Sequence, residues 1–440
     1  MSVHNKPIRG SSASEIARSV EDAIHTGRLA GGDRLPPIRG LAGQLGVSPG
    51  TVAAAYRALQ GRGLVASRPG SATRVNRPLL AAPSAGVRTP GLRDLASGNP
   101  DPRLLPSIPT ALRAVSPRQR LYDDDANLPE LLELAARRFA PAGIPTDSMT
   151  LASGAMDGVE RILQAHLRPG DHVAVEDPGY HGVLELVAAL GLVPEPVRVD
   201  DRGPVPEDLE RALGGRARTL IATVRAQNPF GSALDEPRAV ELRSILDSRD
   251  DVLVVEDDHA GPVAGAPLVA LCSGGRPRWA VVHSVAKSLG PDIRLAVVTG
   301  DPTTINRVEA RKLVGPGWVS RILQDAVVEM WSDPDVGRLL EAAAQTYARR
   351  RSALIESLAA AGVRAFGRSG MNVWIPVHEE ARTGQLLAAA GWGVRAGEPF
   401  RLRSPSAIRV TTASLQPKDA ETLAGDIVDA VRPSYRGRIA

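Results

Sequence analysis

Lys287 lies in the stretch His283-Ser-Val-Ala-Lys-Ser-Leu-Gly-Pro-Asp-Ile-Arg294, directly after an apolar run that opens at Trp279. Such a run carries a lysine out of a buried strand into a turn of small residues, where desolvation lowers its pKa. A neutral amine there can form a Schiff base with an aldehyde. A lone lysine is more often a solvated loop residue, so its companions decide. Four stretches supply them. Glu256-Asp257-Asp258-His259 brings carboxylates, Asp177-Pro-Gly-Tyr180 one of only five tyrosines, and Gln227-Asn228-Pro229 an amide. Ala152-Ser-Gly-Ala155 offers backbone N–H groups ahead of an amphipathic helix carrying Val159, Ile162, Leu163 and Leu167, a place suited to phosphate.

The elements that must position these residues are short apolar runs alternating with helix-length segments. They are His172-Val-Ala-Val-Glu176, Thr219-Leu-Ile-Ala-Thr-Val224, Asp251-Val-Leu-Val-Val-Glu256, Trp279-Ala-Val-Val-His283 and Leu295-Ala-Val-Val-Thr299. Runs rich in β-branched residues and lacking polar alternation are strands buried on both faces, which predicts an α/β fold with a mostly parallel sheet between helices. Ligands in such sheets bind beyond the carboxyl ends of the strands. The lysine, the carboxylates, the tyrosine and the amide each follow one of these runs.

A phosphate site, an aromatic plate, a carboxylate, an amide and a lysine together describe a pocket for pyridoxal 5'-phosphate (PLP). Their order and spacing over residues 95 to 435 resemble the fold-type I aminotransferases. On that resemblance Lys287 carries the cofactor, Asp257 pairs with the pyridine nitrogen, Asn228 bonds the ring hydroxyl and Tyr180 stacks on the ring. Gly154, Ala155, Ser284 and Arg294 hold the phosphate. Arg409, in Ala407-Ile-Arg-Val-Thr-Thr-Ala413, grips a carboxylate of the substrate or effector through a bidentate fork. Asp258 competes with Asp257, because a shift of one residue reverses the side a strand residue faces; family spacing favours Asp257. His259 stands where these enzymes usually place a tyrosine beside the ring hydroxyl, Asn372 where related regulators often carry His, and the segment from Leu121 to Leu132 lacks the usual glycine and Leu-Arg pair. These departures are compatible with cofactor binding and imply weak transamination.

The N-terminal block has a different character. Ser12-Ala-Ser-Glu15 has capping-box spacing ahead of Ile16, Val20, Ala23 and Ile24, an apolar face at helical period. A second helix after Pro36-Pro37 is expected to turn Ile38, Leu41, Ala42 and Leu45 inward. A third, capped by Ser48 with Pro49 at its first position, buries Val52, Ala55, Tyr56 and Leu59. Two short strands around Arg68-Pro-Gly70 complete a wing. Gly32-Asp-Arg-Leu-Pro-Pro-Ile-Arg-Gly-Leu-Ala42, Leu45-Gly-Val-Ser48 and Ala55-Tyr56 resemble the winged helix-turn-helix of the GntR regulators over residues 12 to 76. The resemblance implies that Arg39, Ser48, Thr51, Arg68 and Gly70 contact DNA, with the first turn of the third helix in the major groove. Pro49 replaces a basic residue common in the family.

Charge follows the same division. Residues 1–78 hold 11 Lys and Arg against 4 Asp and Glu, while the remainder holds 42 against 45. A basic block on a near-neutral body suits a polyanion partner for the first part alone. The single Cys272 excludes an internal disulfide framework, and no early apolar stretch reads as a signal peptide or membrane span, so a cytoplasmic location is expected. The expected domains are 1–78 (winged helix), 79–94 (a Pro- and Ala-rich linker) and 95–440 (PLP domain).

Fusion of these two parts resembles the MocR/GabR-type transcription regulators. The resemblance implies a head-to-tail homodimer that binds an operator in double-stranded DNA and is modulated by PLP, or by its aldimine with an amine or amino acid. The alternative is a working aminotransferase with an accessory DNA-binding domain.

Overall fold

A computed structural model describes residues 8–61, 64–66, 73–75, 91–115, 120–272 and 275–431. The chain divides into two compact units, one of residues 1–85 with 167–173 and 185–194, the other of the remainder.

In the first unit the Ser12 hydroxyl accepts the Glu15 N–H, and the Glu15 carboxylate accepts the N–H of Ser12, so both orphan donors at the start of helix α1 (Ala13–His25) are satisfied. Ile16, Val20 and Ala23 are buried along it. Helix α2 (Ile38–Leu45) ends at Gly46, whose φ of 68° gives the tight turn into helix α3 (Pro49–Gly61). The Ser48 hydroxyl accepts the Thr51 N–H at 3.1 Å and caps α3, which buries Val52, Ala55, Tyr56 and Leu59 as its spacing predicts. Ile38 departs from expectation: it is 37% exposed, because this eight-residue helix turns Leu41 and Ala42 into the core and its first turn projects beyond them. Strands β1 (Val65–Ala66) and β2 (Arg74–Val75) pair antiparallel as the base of a wing. Arg68 and Gly70, together with most of the linker expected at 79–94, lie outside the described residues.

The second unit opens with β3 (Arg93–Asp94). Its main sheet takes β4 (Met149–Ala152), β5 (His172–Asp177), β6 (Val193–Asp200), β7 (Gly203–Pro204), β8 (Ala217–Thr223), β9 (Leu253–Asp258), β10 (Trp279–Ser284) and β11 (Ala296–Gly300). The eight strands run in the order β4-β11-β10-β9-β8-β5-β6-β7. Every residue of β9, β10 and β11 is buried, as the unalternating apolar runs require. Strands β8, β9 and β10 are parallel neighbours, with Thr223 opposite Asp257 and Asp258 opposite His283, whereas β11 lies antiparallel to both β10 and β4.

A smaller sheet joins β12 (Asn372–Pro376), β14 (Arg395–Ala396) and β15 (Ala407–Thr411) in the order β12-β15-β14, while β13 (Trp392–Gly393) pairs with β3. Its apolar side packs in a separate core with Leu354, Leu358 and Ile427. Among the described residues no helix is long and apolar enough to cross a membrane.

Candidate functional site

The carboxyl ends of β8, β9 and β10 carry Asn228, the Asp257–His259 run and Lys287. Lys287 lies in the short helix Ala286–Leu289 directly after β10, and its Nζ donates to the Gly98 carbonyl at 2.7 Å. The side chain is half-buried, and desolvation, with the nearby Arg409 charge, lowers its pKa to about 8. An amine so poised has a far larger neutral fraction at neutral pH than an ordinary lysine, and the neutral form is the one that attacks an aldehyde.

Asp257 and Asp258 both end β9, and their surroundings separate them. Asp258 accepts two hydrogen bonds from Arg225, each 2.8 Å, and lies 2.7 Å from His283 Nδ1. Burial pushes its carboxyl up, but the Arg225 and His283 interactions outweigh that and hold it well below the usual carboxylate range. Asp257 is buried, and its Oδ1 has no hydrogen-bond partner among the described residues. Burial, then the charges of Asp258 and Glu176, push its carboxyl up to about 8. A buried polar atom without a partner is costly, which leaves this oxygen open to a donor from outside the chain.

His259 follows with its Nδ1 3.8 Å from Asp257 Oδ2, beyond hydrogen-bond range. Burial and the Lys287 charge lower its pKa to about 4, leaving a neutral imidazole. Asn228 follows β8, and its Oδ1 accepts from Arg409 Nη1 at 3.0 Å. Arg409, buried on β15, also donates to the Ala96 carbonyl and lies over Phe400 at 4.9 Å. Burial, then the Arg395 charge, lowers its pKa to about 10. Tyr180, following β5, acts electrostatically on Arg409 and meets His181 edge-on at 4.7 Å.

Gly154 precedes the helix Ala155–His166 and has a φ of 100°; a Cβ there would fall 2.8 Å from Arg294 Nη2. Gly154, Ala155 and Arg294 thus form one corner with an open helix N-terminus, suited to an anion. The Ser153 N–H is already taken by Asp157 Oδ2 at 2.8 Å. Ser284 is buried at the end of β10 and accepts the Ala286 N–H at 3.3 Å.

In the first unit Arg39 is exposed on α2, and Ser48 and Thr51 start α3 with their hydroxyls 2.9 Å apart. Sequence reasoning missed Arg225, His181, Phe400 and the Gly98 carbonyl. His283 stood inside the lysine stretch, but only the parallel register opposite Asp258 reveals its partner.

Residues 91–427 match the family "Aminotransferase class I and II", and residues 12–75 match "Bacterial regulatory proteins, gntR family". The chain is 39% identical, over 96% of its length and 99% of the relative's, to the vitamin B6 salvage pathway transcriptional repressor PtsJ of Salmonella typhimurium. It is 27% identical to the pyridoxine biosynthesis transcriptional regulator PdxR of Corynebacterium glutamicum, covering 78% of each chain. Among solved structures, an archaeal alanine:glyoxylate aminotransferase shares the fold with a TM-score of 0.70 at 22% identity, covering 77% of this chain and 90% of that one.

Proposed function

The chain belongs to the MocR-type regulators, which join a GntR helix-turn-helix to an aminotransferase class I and II domain, and from that premise we propose that it is a DNA-binding transcriptional regulator in which PLP held at Lys287 modulates operator binding. The observation that carries the cofactor assignment is Asp257: a buried carboxyl with one oxygen lacking a donor, next to an Asp258 that is fully committed to Arg225 and His283. A protonated pyridine nitrogen is the donor that this oxygen lacks.

The remaining residues fit the same group. Lys287 is the covalent anchor; Asn228 and Tyr180 face the ring; Gly154, Ala155, Ser284 and Arg294 hold the phosphate; Arg409 takes the carboxylate of an amino acid effector. PLP, when bound, supplies an aldehyde and an electron-withdrawing ring. His259 in place of a tyrosine offers a neutral imidazole beside that ring. The names of PtsJ and PdxR support a role in vitamin B6 regulation, with PLP itself or an amine or amino acid as the signal. Arg39, Ser48 and Thr51, with Arg68 and Gly70 of the wing, contact the operator, and the protein acts as a head-to-tail homodimer.

The test is operator binding, with and without PLP, for the wild type and Lys287→Ala. The PLP response is expected to vanish in the variant; an equal response in both overturns the assignment. Incubation with amino donors and a keto acid separates sensor from enzyme: sustained turnover at enzyme-like rates sinks the regulatory reading of this domain.

A further inference from the structure

Arg395 on β14 stands directly opposite Arg409 on β15 in an antiparallel pair. Residues opposite one another in such a pair project from the same face of the sheet, so both arginine side chains leave it on the same side. The charge of Arg395 reaches both Arg409 and His181, the imidazole packed between Tyr180 and Phe400. Both arginines therefore project from one face of the smaller sheet, the face on which the charge of Arg395 is felt at Arg409 and His181.

Neither has a carboxylate partner. Arg409 donates to Asn228 Oδ1 and the Ala96 carbonyl; among the described residues its buried Nε has no acceptor, and the side chain of half-buried Arg395 forms no hydrogen bond or ion pair. Three carboxylates near these strands are committed elsewhere. Glu380 accepts from Arg401 and from the N–H groups of Glu398 and Ala407. Asp94, whose charge Arg409 feels, accepts the N–H groups of Ala96 and Ser97. Asp177 accepts the N–H groups of Leu402, Arg403 and Ser404. Two like charges held this close repel unless an anion lies between them. One carboxylate fills the fork of Arg409 and leaves Arg395 unanswered.

We propose that Arg395 is a second anion-binding residue, so that the effector is an amino or oxo acid with two anionic groups, one on Arg409 and the other on Arg395. This rests on the reading of the domain as a PLP site with an acid-binding wall. The shared chemistry covers a second carboxylate and a phosphate-like group.

The test uses full-length, PLP-loaded protein, titrated calorimetrically with glutarate, 3-phosphonopropionate and the monoanion butyrate, in the wild type and Arg395→Gln. The wild type is expected to bind one of the dianions about tenfold or more tighter than butyrate, the scale of one charge-assisted hydrogen bond. Whichever dianion binds tighter names the second group. Arg395→Gln is expected to keep its butyrate affinity and lose the preference. Equal affinity for all three in the wild type, no binding of any, or a preference surviving in Arg395→Gln overturns the inference. Failure of the wild type to take up PLP, read from its absorbance before any titration, overturns instead the reading on which it rests.

Discussion

Arg225 grips Asp258 through two 2.8 Å hydrogen bonds, Nε to Oδ1 and Nη2 to Oδ2, inside the carboxyl end of the main sheet. Both side chains are buried, and His283 completes the cluster from the next strand. This pairing commits Asp258 within the fold and leaves its neighbour Asp257 with an open oxygen. Removing one partner of a buried pair leaves an uncompensated charge, so Asp258→Asn is expected to lower folding stability by about 3 to 5 kcal/mol. Asp257→Asn is expected to leave the PLP-free protein at least as stable at neutral pH and to weaken PLP binding. Urea denaturation of both variants checks this; equal stability losses contradict it.

The elevated pKa of Asp257 also sets a pH dependence. Below the usual carboxylate value of about 4 the group is protonated whether folded or unfolded. Between that value and the folded value of about 8, the unfolded chain releases the proton while the folded chain keeps it, so this contribution to stability is lost as pH rises. Glu176, raised by burial to about 7, adds a slope of the same sign, and His259, lowered to about 4, opposes it. The difference between wild type and Asp257→Asn isolates Asp257. Without PLP, the variant is expected to lose less stability from about pH 5 to pH 8; parallel curves would rule this out.

Lys287, with a pKa near 8, passes from mostly charged to mostly neutral across that value. Trapping of PLP on Lys287 by borohydride is expected to accelerate roughly tenfold between about pH 7 and pH 9, following the neutral fraction of the amine. Peptide mapping locates the adduct, and a flat profile or an adduct elsewhere would count against the assignment.

Gly154 combines a φ of 100° with the Arg294 guanidinium where a Cβ would stand. Gly154→Ala is expected to weaken PLP binding about tenfold, since the added Cβ pushes the Arg294 guanidinium out of the corner. Far-ultraviolet circular dichroism should stay unchanged. Unaltered PLP affinity would remove Gly154 from the phosphate corner.

On the DNA side, Arg39→Ala is expected to weaken operator binding similarly across sequences and to reduce the salt slope by about one if it contacts phosphate. PLP uptake should be unaffected. Ser48→Ala removes the cap of α3 and is expected to cost about 1 kcal/mol of stability. Fluorescence anisotropy over a salt series and a thermal melt provide the two measurements.

Much of the fold was legible in the sequence because local physics wrote it. The Ser12–Glu15 capping box, the Ser48 cap and the β-branched runs each carry their signal within a few residues, and each element formed where predicted. Ile38 misled because helical period marks a stripe without telling how far along it the neighbouring helix reaches. Arg225 was invisible for a related reason: an arginine after a strand carries no sign of its partner.

The sequence by itself determined which elements form and which chemical groups follow each strand: the amine at 287, the carboxylates at 257 and 258, the amide at 228. Only the tertiary structure decided their states. Asp258 found Arg225 from 33 positions away and His283 from 25, while Lys287 found the Gly98 carbonyl across 189. Whether a buried polar group is satisfied or left open depends on such distant partners. Periodicity and spacing place a residue on an element, but the packing of elements against one another selects the atoms that surround it.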